Sequence, residues 1–224
     1  MSQLNGKVAI VTGASRGFGY QAALQLSRKG AHVIISARTL GALEQLSDKI
    51  LEGQGSVTVA PVDLCKEKDF QKLSLSIYEK FGKIDILIHS ASVAIPMTPI
   101  ETIQRTELVK FFETNTFLTQ RVIQMMHPLL KKNKKSIALF IQDTTTSKRK
   151  KFLGIYNATR AASQEMIAAY AAERKRLGPT ILTFEPNPMP TKTRQVLFPG
   201  ENKDKLSSCE NEAKRMLALI SAYL

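Results

Sequence analysis

The sequence predicts a single doubly wound α/β domain, a parallel sheet of about six strands with helices on both faces. Two observations predict it. Short apolar runs recur down the chain without the polar alternation of a half-exposed strand, which is how strands covered on both faces read. Between them lie longer segments of helical period, and no composition break, linker or internal repeat divides the series. Residues 1–224 therefore read as one domain.

The elements follow in order. Val8–Val11 is the first strand and Gly17–Lys29 the first helix; Val33–Ile35 and Leu40–Glu52 repeat the unit, and Val57–Val59 with Glu67–Phe81 repeats it again. Ile84–Ile88 is the fourth strand, followed by a helix over Glu113–Lys132 in which His127-Pro128 is expected to end the helical run. Ile137–Ile141, the helix Gly154–Leu177 and Ile181–Phe184 complete the alternation. Pro186, Pro188 and Pro190 then exclude a helix and a central strand, so a loop is expected. A last helix over Ser208–Tyr223 carries Met216, Leu217, Leu219 and Ile220, and no seventh strand follows. The segment 186–224 is expected to be a short Pro-rich loop on the substrate side plus this helix.

Composition excludes several classes. No apolar run reaches the ~18 residues of a membrane helix, and Met1–Lys7 lacks the apolar stretch of a secretory signal, so a cytoplasmic protein is expected. Cys65 and Cys209 have neither disulfide-framework nor zinc spacing, and His32, His89 and His127 are scattered, so no metal site is expected. Met125 and Met126 read as core. The formal charge is +13, and basic runs occur at Lys131, Lys132, Lys134 and Lys135 and at Lys148, Arg149, Lys150 and Lys151. No aromatic interleaving or recognition motif accompanies them, which favours solvated faces over a nucleic-acid surface.

Thr12-Gly13-Ala14-Ser15-Arg16-Gly17-Phe18-Gly19 follows the first strand and opens the first helix. Glycines there let the backbone turn sharply and approach a pyrophosphate, whose charge the helix N-terminus favours. The plain alternative is a tight strand-to-helix turn. The second strand ends Ser36-Ala37-Arg38, with no acid to accept ribose hydroxyls. Arg38 and Arg16 are instead suited to clamp a 2′-phosphate, which points to NADP (NADPH) over NAD.

The glycine pattern, together with Tyr156-Asn157-Ala158-Thr159-Arg160, resembles the short-chain dehydrogenase/reductase family from about Leu4 to about Thr193. Asp63 in Val62-Asp63-Leu64 matches the family's adenine-contacting acid, and Asn115 its helix asparagine. The family's Asn-Asn-Ala-Gly appears as His89-Ser90-Ala91-Ser92, with the alanine alone kept. The tail Thr191–Arg194 followed by Phe198-Pro199 resembles a bacterial branch labelled YciK-like. The resemblance implies a Rossmann-type cofactor site at Gly13, Ser15, Arg16, Gly17, Phe18 and Gly19, at Arg38, Asp63 and Leu64, and at Ser90 and Ala91. Tyr156 and Arg160 stand at its nicotinamide end.

It also implies hydride transfer between nicotinamide and a small-molecule carbonyl or alcohol, with a tyrosine passing the proton and a serine steadying the substrate oxygen. A lysine four residues after the tyrosine, on the same helix face, lowers its pKa. Here Tyr156 and Asn115 are kept, but Arg160 stands for the lysine and Asp143, thirteen residues before Tyr156, for the serine. Arginine keeps the charge but cannot give up a proton. An ionised Asp143 opposes the negative charge of the transition state. Thr144 supplies the hydroxyl if the register shifts by one, and Asp143 pairing with Arg160 is the other arrangement left open. The second basic run lies near the expected mouth and would favour an anionic substrate. Two function classes follow: an NADP-dependent oxidoreductase, or an impaired relative that binds the dinucleotide as sensor or structural ligand. A nucleic-acid-binding role on a borrowed fold ranks third. The resemblance further implies a homodimer through the helices Glu113–Lys132 and Gly154–Leu177.

Overall fold

The computed structural model describes residues 3–143 and 151–224. Its strands are β1 (Val8–Thr12), β2 (His32–Ala37), β3 (Ser56–Pro61), β4 (Ile86–His89), β5 (Ile137–Ile141) and β6 (Thr180–Phe184), all parallel in the order β3-β2-β1-β4-β5-β6. The apolar runs are continuous because each strand feeds two cores. On β1, Ala9 and Val11 face the core filled by Ala22, Leu26, Leu46 and Met216, while Val8 and Ile10 face the one filled by Phe70, Val122, Met126 and Ile167. The first core is closed by α1 (Gly17–Arg28), α2 (Leu40–Glu52) and α8 (Cys209–Ser221), the second by α3 (Glu67–Phe81), α5 (Leu118–Leu130) and α6 (Gly154–Arg174).

Three stretches differ from the sequence expectation. The helix expected from Glu113 starts earlier, as α4 (Arg105–Phe112), and runs through a π-type turn, Glu113–Phe117, into α5. His127-Pro128 does not end the helix, which continues to Leu130. A proline in the final turn removes one bond where the ladder is ending anyway, and buried Leu129 and Leu130 hold that turn on the core. The segment after Phe184, expected as a loop, contains α7 (Lys192–Leu197), capped by Thr191, whose hydroxyl accepts from the Arg194 N–H at 3.1 Å. The last helix, α8, is capped in the same way by Ser208. Met126 is buried and Met125 partly so, both in the core as expected.

Glu212 of α8 is buried at 1% exposure, and four groups bind it. The Asn187 backbone N–H and side-chain amide donate to it at 3.0 Å and the Ser207 hydroxyl at 2.6 Å, with Arg215 as its ion-pair partner. Both ends of the 187–207 excursion are thereby fastened to one carboxylate. Among the described residues no helix is long and apolar enough to cross a membrane.

The sheet order places β1 between β2 and β4, so the chain leaves adjacent strands in opposite directions and opens a crevice at their C-terminal ends. Register sets what lines it: Thr12 lies opposite both Ser36 and His89, and His89 opposite Phe140.

Candidate active site

A cleft of about 280 Å³ occupies this crevice, running from the glycine loop to the end of β5 and on to the excursion after β6. Two glycines make it possible. At Gly13, with φ of +71°, a Cβ would lie 2.9 Å from the Ala91 backbone; at Gly19 it would lie 2.4 Å from the Gly13 carbonyl oxygen. The β1–α1 turn therefore closes against both the β4 loop and its own helix only without side chains. No side chain caps α1, and its first turn holds no acid, which leaves its N–H groups and positive dipole end to an anion.

Arg16 and Arg38 are exposed at the rim, and among the described residues neither side chain has a hydrogen-bond or ion-pair partner. Asp63 lines the same end and accepts from the Cys65 N–H at 3.1 Å. Uncapped N–H groups, a cradle that a Cβ would fill and two unpaired guanidiniums at the rim fit a dinucleotide with a 2′-phosphate. Phe18 lines the cleft and stacks on Phe184, with ring centroids 5.8 Å apart.

Beneath the cleft floor the hydrogen-bond directions can be worked out. The Thr12 hydroxyl oxygen accepts from the Ser90 and Ala91 N–H groups at 3.3 and 3.4 Å, which leaves its hydrogen for His89 Nδ1 at 2.8 Å. Nδ1 is then the acceptor, and Nε2–H faces Thr119 Oγ1 at 3.4 Å, which donates in turn to the Asn115 carbonyl oxygen at 3.0 Å. His89 is fully enclosed; burial first, and then the Arg160 charge, push its pKa down to about 3, so the ring is neutral.

Asn115 lies in the π-type turn and does not line the cleft. Its amide exchanges bonds with the Val93 backbone at 2.8 and 3.0 Å and donates to Thr159 Oγ1 at 3.3 Å, while its own carbonyl also receives Ser163 Oγ at 2.7 Å. It acts as a bolt between the β4 loop and α6.

At the other end, the Tyr156 hydroxyl donates to Asp143 Oδ2 at 2.5 Å. Tyr156 is 2% exposed, and its pKa lies well above the ordinary phenol value through burial, with the Asp143 charge and this hydrogen bond adding to it; Arg160 and Arg194 oppose the rise. One turn on, the Arg160 Nη2 donates to the Ile141 carbonyl at 2.5 Å, and its buried Nε has no partner among the described residues. The phenol is thus held protonated, by burial first and by the Asp143 carboxylate second.

The cleft brings together all the expected site residues except Gly19, which shapes the turn from behind, Asn115, and Thr144, which lies outside the described residues. The anionic-substrate expectation likewise rested on Lys148, Arg149 and Lys150, outside the described residues, with exposed Lys151 as the remaining member. Sequence reasoning missed Arg194 as a site residue. It lines the cleft from α7, is held bidentately by Glu201 through two 2.6 Å bonds and stacks over Phe198 at 4.5 Å; its field reaches Asp143 and Tyr156. The Thr191–Arg194 likeness was the available signal.

Residues 7–202 match the short chain dehydrogenase family. The chain belongs to that family. The oxidoreductase yciK of Escherichia coli is 25% identical, with a TM-score of 0.88 over 98% of this chain and 91% of that one. A short chain dehydrogenase from Escherichia coli CFT073, complexed with NADPH, is 26% identical at a TM-score of 0.88 over 98% and 92% of the two chains. An oxidoreductase of Listeria monocytogenes is 25% identical over 92% of this chain and 83% of that protein. Glycine betaine reductase of Emericella nidulans is 30% identical over 82% of this chain, which spans 14% of that much longer protein.

Proposed function

We propose that the protein is an NADP(H)-dependent oxidoreductase that moves a hydride between the nicotinamide and a carbonyl or alcohol carbon of a small molecule. The observation that carries the proposal is one cleft joining an uncapped glycine cradle and two rim arginines to the hydrogen-bonded Tyr156–Asp143 pair, in which Tyr156 is buried. The NADPH complex of the Escherichia coli relative supports the cofactor. Gly13, Gly17 and the start of α1 would receive the pyrophosphate, Arg16 and Arg38 the 2′-phosphate, Asp63 and Leu64 the adenine side, and Ser90, Ala91, Tyr156 and Arg160 the nicotinamide ribose side. When bound, the cofactor supplies or takes the hydride.

The residues of the chain handle the proton. The one hydrogen on Tyr156 is directed at Asp143, so the phenol presents lone pairs to the substrate. A substrate hydroxyl is the group that fits. In alcohol oxidation its proton passes to Tyr156 Oη while the Tyr156 proton passes to Asp143 Oδ2. Carbonyl reduction reverses the line, the proton passing from Asp143 through Tyr156 Oη to the oxygen of the new alcohol. Arg160 steadies the charge on this pair without itself giving up a proton.

A second reading, a dinucleotide-binding sensor with little turnover, is favoured by the same Tyr156–Asp143 bond, which holds the proton donor away from a carbonyl. The reading adopted here also includes a homodimer through α4–α5 and α6, on which Leu108, Val109 and Phe117 are exposed, and a cytoplasmic setting. The test is calorimetry with NADPH and NADH, followed by turnover on an alcohol and carbonyl panel. NADPH is expected to bind about tenfold tighter or better, with Arg38→Asp erasing the difference. Tyr156→Phe is expected to bind NADPH and lose turnover. Equal affinity for both cofactors overturns the NADP assignment; tight binding without turnover on any member of the panel favours the sensor.

A further inference from the structure

We propose that the protein docks on the surface of an anionic phospholipid bilayer through the half of the sheet's N-terminal edge that lies under β4, β5 and β6. The proposal goes beyond the oxidoreductase reading and does not depend on it.

In a parallel sheet every helix-to-strand connection falls at the edge opposite the cleft. Because β4, β5 and β6 are neighbours, the connections 82–85, 131–136 and 175–179 lie side by side. They carry seven cations and one acid, Asp85, which is buried. The stretches that lead into β1, β2 and β3 at the same edge, 3–7, 29–31 and 53–55, carry two cations, Lys7 and Lys29. The positive charge of this edge is therefore concentrated on one half of it. Lys131, Lys132, Lys134, Lys135, Lys175 and Arg176 are all exposed, and among the described residues none of the six has an ion-pair partner. The exposed acids beside them are Glu79 and Glu173, and Glu173 lies 3.7 Å from Arg174.

The three turns form one platform. Asp85 accepts from Lys83 Nζ at 3.0 Å and from Asn133 Nδ2 at 2.6 Å, which ties the first turn to the second. The Thr180 N–H donates to the Ser136 carbonyl at 2.9 Å, and at Gly178 a Cβ would lie 2.9 Å from the Lys134 carbonyl oxygen, so the third turn closes on the second backbone to backbone.

The apolar component favours lipid over nucleic acid. Leu177, directly after Lys175 and Arg176, is 69% exposed, and Tyr78 near the end of α3 is half-exposed, with the Lys132 ammonium 5.8 Å from its ring centroid. Aliphatic and aromatic tips among lysines suit a headgroup interface: the tips enter the acyl boundary while the long stems keep the ammoniums at the phosphates. Nucleic acid calls for a helix or ribbon that enters a groove, or for free aromatic faces on which bases stack. These cations sit on turns, and Lys132 lies over Tyr78. A protein docked in this way keeps its cleft, at the C-terminal ends of the strands, turned away from the bilayer and open to water.

The test is co-sedimentation of the full chain with vesicles of phosphatidylcholine, alone or with about one-third phosphatidylglycerol. Binding to the anionic vesicles is expected to be about tenfold tighter or better, and to weaken about tenfold between about 50 and about 500 mM salt. Lys131→Gln, Lys132→Gln, Lys134→Gln and Lys135→Gln combined are expected to cost about tenfold or more in vesicle affinity. The same change at four other exposed lysines, Lys66, Lys68, Lys203 and Lys205, is expected to cost less than about twofold, which separates the patch from net charge. Leu177→Ser keeps the charge and is expected to weaken binding about threefold. NADPH affinity and melting temperature are expected to be those of wild type in the 131–135 variant; should it fail to fold, Lys175→Gln with Arg176→Gln carries the same direction of effect. Equal losses in the two four-lysine variants, no preference for anionic vesicles, or a short DNA duplex held tighter than the vesicles overturns the proposal.

Discussion

The two ends of the cleft are built from the same sheet edge by different rules. At the nucleotide end the requirement is for backbone: the contacts that matter at Gly13 and Gly19 are spaces where no atom is tolerated, and the ligand-facing groups are N–H donors. At the chemical end the requirement is for side chains, and two of them, Asp143 and Arg160, stand where the family resemblance implies a serine and a lysine. A backbone site accepts little variation where a Cβ clashes, as at Gly13 and Gly19, whereas a side-chain site can exchange one chemistry for another on an unchanged frame. The lesson is that the cofactor and the reaction are separable properties of this chain.

The sharpest way to break the comparison is at Gly19. Gly19→Ala drives a methyl group to 2.4 Å from the Gly13 carbonyl and is expected to weaken NADPH binding by more than about 100-fold, with a lower melting temperature, by calorimetry and thermal unfolding. Retained binding would mean that the turn is looser than described and that the nucleotide end tolerates side chains after all.

The chemical end is expected to respond in the opposite sense. Wild type is expected to reduce generic ketones poorly, and Asp143→Ser combined with Arg160→Lys to raise that rate about tenfold beyond the product of the two single effects, because the residues act on one proton. The check is a double-mutant cycle on NADPH oxidation with Tyr156→Phe as blank. Brisk ketone reduction by wild type that falls in the double variant would make Asp143 and Arg160 a working pair for carbonyls.

The same division describes what the sequence makes legible. Val8–Val11 and the other runs announce strands because both faces are buried, and the glycines announce the cradle because their spacing is dictated by backbone geometry. Asn115 and Tyr156 are legible through the family resemblance. The start of α4 at Arg105 and the passage of α5 through Pro128 are not, since tertiary burial of Leu129 and Leu130 outweighs the local signal. Nor does the sequence show that Asp143 takes the hydrogen of Tyr156, that Glu201 holds Arg194, or that His89 links Thr12 to Thr119. Each of these depends on elements apart in sequence or across a turn meeting in space.

The smallest expected effect concerns the floor that both ends share. The folded-state pKa of His89, pushed down to about 3, lies below its unfolded value near 6.5, so the unfolded chain binds the extra proton. Stability is whole above the unfolded pKa and falls as pH drops from about 6.5 toward 3, by about 1.4 kcal/mol per unit at most. By pH 5.5 wild type is expected to have lost about 1 kcal/mol more than His89→Gln, measured by urea unfolding against pH. Parallel pH profiles for the two proteins would show that the ring is not held neutral.

Glu212 gives the substrate side its own independence. Because one buried carboxylate gathers Asn187 and Ser207, the chain between them leaves and re-enters the domain at a single point, like a handle riveted at its base. The entropy of closing that loop grows only slowly with its length. The handle can therefore lengthen, shorten or change composition while the sheet and the nucleotide cradle feel little of it. Arg194, Met189 and Leu197, the wall that a substrate would meet, are all carried on this handle, so this family member can change its diet without rebuilding its engine.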